Sequence, residues 1–508
     1  MSTARHRGLV TVSIMLATVM QSLDTTIANV ALPHMQGALS ATLDQVGWVL
    51  TSYIIAAAIM TPPTGFLASR FGRKRVFVAA VTGFTLASML CGAATSLNEM
   101  VVFRLLQGAF GAGLVPLSQA VLLDTYPHER HASAMAMWGV GVMVGPILGP
   151  TLGGYLTEVY NWRWVFYINL PFGLLALSGI LGFVPETVRD HGRPLDWFGF
   201  TLLSLAIGAL QLMLDRGQSQ DWFTSGEIVT EGVLSALFLY LFVVHMLTDR
   251  RPFLEPGLFR DRNFSLGLVF IFVVGIILLA TLALLPPFLQ NLMGYPVVTT
   301  GFVLAPRGVG TMIAMLLVGR LSGRVDPRLM ILVGLSLTAV SLWEMSRFTL
   351  EVDSWTIVRT GVTQGLGLGF IFVPLSTITF ATLRPQWRNE GTAMFSLMRN
   401  IGSSIGISVM VTLLARNTQA NHALLAGALT PFNSALQAAG NAWDAGTAAG
   451  RLALNSEVTR QAAAIAYLAD FRMMMWVALL ATPLLVLLRK PRHPTASRDE
   501  ATAVAAEA

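Results

Sequence analysis

Charged residues are scarce in this sequence. Asp, Glu, Lys and Arg together make up 12% of the 508 residues, whereas hydrophobic residues make up 54% and the mean hydropathy is +0.64. A composition this apolar excludes a soluble multidomain protein. Cysteine occurs once, at Cys91, which excludes a disulfide framework and a thiolate metal cluster. Lysine occurs only at Lys74 and Lys490, and neither lies in a glycine-rich phosphate-binding loop, so ATP hydrolysis through that motif is excluded.

The histidines argue against a membrane redox enzyme. All eight lie at the ends of apolar runs or between them, where they cannot supply paired axial haem ligands within helices. They are His6, His34, His128, His131, His191, His245, His422 and His493. The sequence therefore predicts neither catalytic residues nor a metal site.

Fourteen apolar runs are long enough to cross about 30 Å of hydrocarbon as helices. They lie near residues 8–32, 46–67, 76–96, 100–123, 133–157, 164–184, 196–214, 228–248, 264–289, 298–320, 329–346, 354–381, 393–415 and 471–488. The sequence thus predicts an all-α integral membrane protein with fourteen transmembrane helices.

Arginine and lysine are concentrated in alternate stretches between these runs. If the stretches richer in positive charge are cytoplasmic, both termini lie in the cytoplasm. The net charge of +6 then reflects membrane topology, so no nucleic-acid partner is expected. The first run is too long for a cleaved signal peptide and lacks a small-residue cleavage site.

Short motifs recur about 250 residues apart and indicate an internal repeat. Gly65 recurs as Gly319, and the sequence VPLS at 115–118 recurs at 373–376. Because this spacing preserves the sidedness of the loops, the copies are predicted to be six-helix bundles related by an axis along the membrane normal. The predicted segments are a six-helix bundle at 1–190, a two-helix insertion with a linker at 191–258, and a second six-helix bundle at 259–508.

A short basic turn, GFLASRFGRKR at 65–75, joins the second and third runs. A topology anchor would explain its positive charges, and its glycines permit tight backbone geometry. The weaker repeat GRLSGRVDPR at 319–328 favours a second interpretation, in which the two loops form a cytoplasmic gate between the halves. The candidate gate residues are Gly65, Ser69, Arg70, Gly72, Arg73 and Arg324.

Glycine recurs every four positions in the fifth run, in the sequence GVGVMVGPILGPTLGGYL at 139–156. Small residues at this spacing let a neighbouring helix approach closely, and proline bends a helix. Ordinary tight packing is one explanation. The combination favours another, a helix that packs and flexes at the interface between the halves. The residues concerned are Gly141, Gly145, Pro146, Gly149, Pro150, Gly153 and Gly154.

One carboxylate, Asp24, lies inside the first apolar run. A charged and unpaired carboxylate at that depth costs several kcal/mol, so Asp24 must be neutral, paired or hydrated. Arg104 in the fourth run lies at a comparable depth and is the predicted partner. Three interpretations stay open: a structural ion pair, a group that exchanges protons as water access alternates, and a binding site for cationic substrates.

A substrate cavity is predicted from polar residues beside Asp24 and from arginines in later runs. Intramembrane arginine usually caps carbonyls or pairs across helices. The other interpretation is that the positive charge favours anionic or weakly acidic lipophilic compounds over permanent cations. The candidate cavity residues are Gln21, Thr25, Asn29, Gln290, Arg307, Arg359 and Arg399.

The stretch 416–470 is the longest between two runs, and it is rich in Ala, Asn and Gln. It is predicted to lie outside the membrane, with one or two short amphipathic helices in its second half. A solvated connector is one interpretation, and a contact site for a partner protein is the other.

These motifs, in this order, resemble those of the major facilitator superfamily, and within it the fourteen-helix drug:proton antiporters of the EmrB/QacA type. The resemblance covers nearly the whole chain. The similar positions are LDTTIANVALP at 23–33 in the first helix, Trp48 and Tyr53 in the second, the loop motif at 65–75, Arg104, Gln107 and Gly108 in the fourth, the glycine and proline run of the fifth, and WRWVFYINLPFG at 162–173.

The resemblance implies a proton-coupled antiporter that exports drugs or toxic lipophilic compounds across a bacterial inner membrane by alternating access, and so confers antibiotic resistance. The proton gradient would supply the energy, with no cofactor. The implied partners are small-molecule drugs or lipophilic toxins, protons, the lipid bilayer, and a periplasmic adaptor and an outer-membrane channel that complete a tripartite efflux pump.

One position departs from the family pattern. The loop motif usually has an acidic residue where this chain has Ser69, so the charge interaction that holds the cytoplasmic side closed would be replaced by a weaker hydrogen bond to a helix end. Two other functions stay open, a proton-coupled symporter for uptake of a specific metabolite and a non-transporting membrane sensor. The glycine and proline run favours antiport, and an enzyme is not expected.

Overall fold

The computed structural model of this chain describes residues 7–187, 196–249, 252–429 and 446–489. Within these ranges the protein is helical, without a β-strand and with one isolated bridge between Ser322 and Val325. Fourteen of the described helices are long and apolar enough to cross a membrane. The predicted fourteen-helix membrane fold is therefore confirmed.

The fourteen membrane helices are numbered here in chain order, and each contains or overlaps one of the predicted apolar runs. The first six are α1 (Arg7–Ala38), α2 (Leu43–Phe71), α3 (Arg73–Ala93), α4 (Leu97–Thr125), α5 (His131–Val159) and α6 (Trp164–Phe183). The next two are α7 (Trp197–Arg216) and α8 (Gly226–Thr248). The last six are α9 (Arg262–Leu292), α10 (Val297–Leu321), α11 (Pro327–Met345), α12 (Ser354–Ala381), α13 (Arg388–Ala428) and α14 (Ala448–Ala481).

Side-chain caps fix where several of these helices begin. Thr42 and Gln45 form a reciprocal capping box at the start of α2, and Asp261 accepts a hydrogen bond from the Phe264 amide at the start of α9. Asp353 caps α12 outside the membrane-spanning segment. The hydroxyl and amide of Thr356 both donate to it and hold the pKa of the Asp353 carboxyl below its usual value.

Equivalent helices pack in equivalent ways in the two halves. In the first half α1 packs on α5, and α2 and α3 pack on α4; in the second, α9 packs on α13, and α10 and α11 pack on α12. In each half a glycine lets two of these helices pack closely, α4 on α2 in the first half and α12 on α10 in the second. A Cβ atom at Gly108 would lie 2.4 Å from the Tyr53 carbonyl oxygen, and one at Gly365 would lie 2.0 Å from that of Arg307. The internal repeat predicted from short motifs is thus present in the packing.

The two halves meet along α5 with α10 and along α2 with α13, and the second part of α4 also packs on α13. The predicted boundary after residue 190 lies outside the described residues, and the one after 258 falls in the short helix Gly257–Arg260.

The inserted helices α7 and α8 pair with each other, and α7 lies against α2 and α13. Polar contacts fasten α7 and the turn after it to the second half: Gln211 donates to Ser404 (2.9 Å), and the Trp222 indole donates to Thr412 (2.8 Å). Asp215 accepts a hydrogen bond from Thr51 of α2. The insertion therefore contacts both halves.

The stretch 416–470 differs from its prediction. Residues 416–428 continue α13, and residues 448–470 continue into α14 as one helix, so the short separate amphipathic helices are absent from the described part of this stretch. Alanine-rich sequence extends both helices because alanine has the best helix propensity, and the Thr447 hydroxyl caps the start of α14 by accepting from Gly450 N (3.0 Å). Residues 430–445 lie outside the described residues.

Candidate functional site

The carboxylate of Asp24 lies in the interior of the first half, among helices α1, α3, α4 and α6. Both Asp24 and Arg104 are only 1% exposed, and the Arg104 Nη1 to Asp24 Oδ2 distance is 2.9 Å. The other oxygen, Oδ1, accepts from Gln107 Nε2 at 2.7 Å and from Asn169 Nδ2 at 2.8 Å. The predicted pair of Asp24 and Arg104 is therefore formed, and two amides complete the coordination of the carboxylate.

The guanidinium of Arg104 is held from three further directions. Its Nε donates to the Val49 carbonyl oxygen (2.9 Å), and its Nη1 also donates to Gln107 Oε1 (2.7 Å). Its central carbon lies 4.3 Å from the centre of the Tyr53 ring, a cation–π contact. Apart from Asp24, the hydrogen-bond partners of Arg104 come from α2 and α4, and the Phe166 ring of α6 lies 5.8 Å from its central carbon, so the guanidinium is held by three helices besides α1.

Two donors to Asp24 were absent from the predicted site. Gln107 was recognised only as part of a fourth-helix motif, and Asn169 only as part of the segment at 162–173. Asn169 also donates to Ser88 Oγ (2.9 Å), which links the site to α3. The sequence signal for both residues is an amide side chain inside an apolar run. That signal does not indicate which neighbouring helix the amide side chain contacts.

Three polar residues of α1 that were predicted to line the cavity, Gln21, Thr25 and Asn29, form no described hydrogen bond to Asp24. Gln21 and Thr25 are half-buried and Asn29 is exposed, in contrast to the fully buried Asp24. Thr25 and Asn29 bond to backbone carbonyls of their own helix, at 3.0 and 3.3 Å. These three residues therefore remain candidates for contact with a transported compound. They are not hydrogen-bond partners of the Asp24 carboxylate.

The arginines predicted for the cavity have different surroundings. Arg307 is buried, its Nη2 donates to the Leu278 carbonyl oxygen at 3.4 Å, and no carboxylate pairs with it among the described residues. Arg399 is half-buried and likewise forms no ion pair within the described ranges. Arg359 instead pairs with Glu344 (3.2 Å), and its side chain is more than half exposed. Gln290 is half-buried in the π-helical turn that ends α9.

Positions 278 and 281 explain why the second half lacks a counterpart of the Asp24 pair. Leu278, the sequence equivalent of Asp24, has no side-chain charge. Gln364, the repeat of Gln107, donates to the hydroxyl of Thr281 at 3.2 Å. The second half therefore has no carboxylate at the position equivalent to Asp24; its buried carboxylates among the described residues, Glu390 and Asp470, lie elsewhere in the chain.

The loop at 65–75 lies where the first half meets the start of α13. Arg73 Nη1 contacts Asp124 Oδ2 at 2.6 Å, and Arg388 Nη1 of the second half contacts Asp124 Oδ1 at 2.6 Å. One carboxylate therefore bridges an arginine from each half. We call these three residues the Asp124 bridge, and we call the end of the molecule where they lie the arginine-rich end.

Ser69 forms the hydrogen bond that was expected in place of the usual acidic residue. Its hydroxyl accepts from Asn389 Nδ2 (3.1 Å) in the first turn of α13, and Arg73 Nε donates to Asn389 Oδ1 (2.9 Å). Gly65 permits this contact, because a Cβ there would lie 2.8 Å from the Asn389 carbonyl oxygen. Asp124 and Asn389 were not predicted, since each lies at the end of an apolar run where a polar residue looks like part of a loop.

The other predicted gate residues have these local surroundings. Gly72 has a φ of +93°, which favours glycine, at the turn between α2 and α3. The guanidinium of Arg70 lies 5.9 Å from the centre of the Phe71 ring, and Arg324 is exposed. Gly319, the repeat of Gly65, packs on Ala136 of α5.

The glycine stripe of α5 packs within the first half, which corrects one expectation. Cβ atoms at Gly141, Gly145, Gly149 and Gly153 would each meet α1, at 2.8, 2.2, 2.1 and 3.2 Å, whereas Gly154 has open space. The contact of α5 with the second half uses its other face, where Ile147 meets Gly308 of α10. The close approach lets Ser22 and Thr26 donate to the backbone of α5, at 2.8 and 3.1 Å. Pro146 and Pro150 lie within this one continuous helix.

Comparison with known proteins places the chain in a family. The Major Facilitator Superfamily matches residues 14–407. The fatty acid resistance protein FarB of Neisseria gonorrhoeae is 38% identical over 431 residues, covering 84% of each chain. The multidrug export protein EmrB of Escherichia coli K12 is 36% identical and covers 85% of this chain and 84% of its own. The probable multidrug resistance protein EmrY of the same strain is 36% identical over 95% of each chain.

Solved structures share the fold at low sequence identity. The human organic anion transporter MFSD10 has a TM-score of 0.61 at 14% identity and covers 94% of this chain and 99% of its own. The proton:xylose symporter XylE has a TM-score of 0.62 at 12% identity and covers 95% and 96%. The fourteen helices, the repeated packing and these relatives together establish that this chain is a multi-pass membrane protein of the Major Facilitator Superfamily, in the group that includes EmrB.

Proposed function

We propose that this protein is a proton-driven antiporter that exports lipophilic drugs or toxic compounds, including weak acids, across a bacterial inner membrane. The observation that carries the proposal is the buried Asp24 and Arg104 pair, in a chain similar to multidrug export proteins. The proton gradient supplies the energy, and no cofactor is needed.

Asp24 is the proposed proton carrier. A proton arriving from outside adds to a carboxylate oxygen of Asp24, and this neutralises the group and breaks its ion pair with Arg104. When the opposite side opens, the O–H bond ionises, the proton leaves to water, and the pair forms again. One proton crossing about 150 mV releases about 3.5 kcal/mol, which sustains a substrate gradient of a few hundredfold.

Alternating access is supported by the contacts at the arginine-rich end. The Asp124 bridge and the hydrogen bond between Ser69 and Asn389 tie the two halves together there. The Asp124 carboxylate is 37% exposed, so water can replace its partner from the other half when this end opens during a cycle. We assign this end to the cytoplasm because positive loops are retained on that side, which also places both termini there.

The charges of the second half support anionic or weakly acidic substrates. Arg307 and Arg399 have no carboxylate partner among the described residues. Their positions are linked through α9, since Arg307 reaches the Leu278 carbonyl and a Cβ at Gly275 would lie 2.4 Å from the Arg399 carbonyl oxygen. A fatty acid resistance protein among the relatives is consistent with such substrates.

A tripartite assembly is supported by the lengths of α13 and α14. Helix α13 has 41 residues, or about 60 Å at 1.5 Å per residue, against about 30 Å of hydrocarbon. The ends of α13 and α14 away from the arginine-rich end therefore project as two antiparallel helices, joined by contacts such as His422 to Asn455 (3.0 Å). We propose that this projection contacts a periplasmic adaptor, which connects to an outer-membrane channel.

The test is transport in everted membrane vesicles with a fluorescent dye and a lipophilic weak acid, while the pH gradient is recorded. Substrate added to the wild type should dissipate the gradient, and Asp24→Asn should abolish that effect while substrate binding persists. Asp353→Asn is the matched control, because asparagine also caps a helix and the residue is exposed.

Two results would contradict the proposal. Normal coupling in a folded Asp24→Asn variant would assign Asp24 a structural role. Substrate and protons that move in the same direction would indicate the uptake symporter.

A further inference from the structure

Two polar side chains are buried without partners where the halves meet at the arginine-rich end. Gln119 of α4 is 0% exposed, and neither its amide oxygen nor its amide nitrogen has a hydrogen-bond partner among the described residues. Ser396 of α13 is 3% exposed, and its hydroxyl also has no partner in the described part of the chain. Burying an unpaired amide or hydroxyl is unfavourable, so such groups are rare in a permanent core.

Helical periodicity places both residues on the surfaces that face the opposite half. Arg388 of α13 donates to the Leu123 carbonyl oxygen of α4 at 3.4 Å, and Gln119 precedes Leu123 by one turn. Ser396 follows Asn389 by two turns, and Asn389 contacts Ser69 of the first half. Both unpaired groups therefore lie just beyond the contacts that close this end.

The neighbouring residue Ser118 is a buried polar residue of α4 whose hydrogen bonds are all satisfied. Its hydroxyl accepts from the Trp138 indole (2.8 Å) and from Thr18 (3.1 Å), and it donates to the Val115 carbonyl oxygen (2.7 Å). All of these partners belong to the first half. Residues one position apart thus differ: Ser118 is satisfied within its own half, whereas Gln119 is not.

We propose that Gln119 and Ser396 line a water-filled passage in the alternate conformation, and that they bind the polar head of the substrate as it enters from the arginine-rich end. An amide and a hydroxyl can both donate to a carboxylate or another anionic head group. Arg399 follows Ser396 by about one helical turn, so the passage leads from the Asp124 bridge toward a guanidinium.

This inference rests on the proposed alternating access but not on proton coupling or on the direction of transport. Opening the passage breaks the Arg388 to Asp124 contact and the hydrogen bond between Asn389 and Ser69. The two side chains then gain the hydrogen bonds that they lack in the closed state. Their burial without partners is thereby a property of one conformation only.

The single cysteine of this chain makes the test direct. With Cys91→Ser as background, Gln119→Cys and Ser396→Cys are labelled with a hydrophilic maleimide in nanodiscs, where both membrane faces are accessible. Asp124→Asn removes the ion pair with Arg388, the one pair of the bridge that joins the two halves, so the labelling rates at 119 and 396 should rise about threefold to fivefold. Ser118→Cys is the matched control and should stay unlabelled.

Two outcomes would overturn the inference: no rise at 119 and 396, or an equal rise at 118, which would indicate general loosening. Labelling needs neither substrate nor a proton gradient. The labelling result can therefore be interpreted even if the Asp24→Asn experiment contradicts proton coupling.

A second measurement separates a passage from a structural role. Gln119→Leu removes the unpaired amide, so it should raise the thermal midpoint of the closed protein while it lowers the rate of substrate transport severalfold. A variant that loses both stability and transport would show that the amide belongs to the permanent core.

Discussion

At the scale of residues, the proposed function depends on a few polar groups whose partners come from different helices. Asp24 is held by donors from α4 and α6, and Asp124 is held by arginines from both halves. The first group is fully buried and the second partly exposed. Breaking the first is therefore costlier than breaking the second, which agrees with the proposal that a proton neutralises Asp24 when its ion pair opens.

Removing Arg104 should be more harmful than removing the whole pair. Arg104→Gln leaves Asp24 buried without a compensating charge, so we expect a loss of about 3–5 kcal/mol of stability. The double variant Asp24→Asn with Arg104→Gln should recover a large part of this loss, since two amides can hydrogen-bond to each other. Thermal unfolding in detergent of both single variants and the double variant gives the coupling energy. Additive losses would contradict a direct charge interaction.

Ser69→Asp should stabilise the closed arginine-rich end. Residue 69 lies against the first turn of α13, where the helix dipole favours an anion by about 0.3–1 kcal/mol. We expect a higher thermal midpoint, slower transport, and slower maleimide labelling of Gln119→Cys. Ser69→Asn, which keeps a hydrogen bond without the charge, is the control. Faster transport in the aspartate variant would show that Asp124 repels a second carboxylate there.

At the scale of elements, the helices could be predicted from the sequence but their facing surfaces could not. Apolar runs locate all fourteen membrane helices because each must cross the same thickness of hydrocarbon. The run ends where polar residues begin, yet helix propensity does not end there, so the extensions of α13 and α14 were missed. The glycine stripe of α5 likewise predicted a close contact correctly but not that α1 supplies it.

The glycine stripe gives a prediction with a control in the same helix. A Cβ at Gly145 would lie 2.4 Å from the backbone of Ser22, and neither helix can yield locally. We expect Gly145→Ala to lower stability by about 1–3 kcal/mol through overpacking. Gly154→Ala meets nothing within 4 Å and should be neutral or slightly stabilising. Equal thermal midpoints for the two variants would mean that α1 and α5 are not closely packed.

At the scale of the whole molecule, the repeat could be predicted because short motifs recur at nearly constant spacing. The repeat is asymmetric in charge: the buried ion pair of Asp24 with Arg104 lies in the first half, whereas Arg307 and Arg399, which have no carboxylate partner among the described residues, lie in the second. Contacts between the halves involve residues far apart in sequence, such as Asp124 with Arg388, and single-residue patterns carry no information about them. This is why the Asp124 bridge appeared only in the structure.

The projecting ends of α13 and α14 should matter for export from cells but not for transport across one membrane. Leu424 and Leu452 are 74% and 71% exposed on this projection, well beyond the length needed to cross the membrane. Exposed leucines on paired helices favour contact with another protein. The double variant Leu424→Ser with Leu452→Ser should therefore keep wild-type transport in everted vesicles but lose most of the resistance that whole cells gain. Ser substitution at the exposed Ile465 of the same helix is the control. Equal losses in vesicles and cells would place these leucines in folding, and no loss in either would mean that the adaptor contacts another surface.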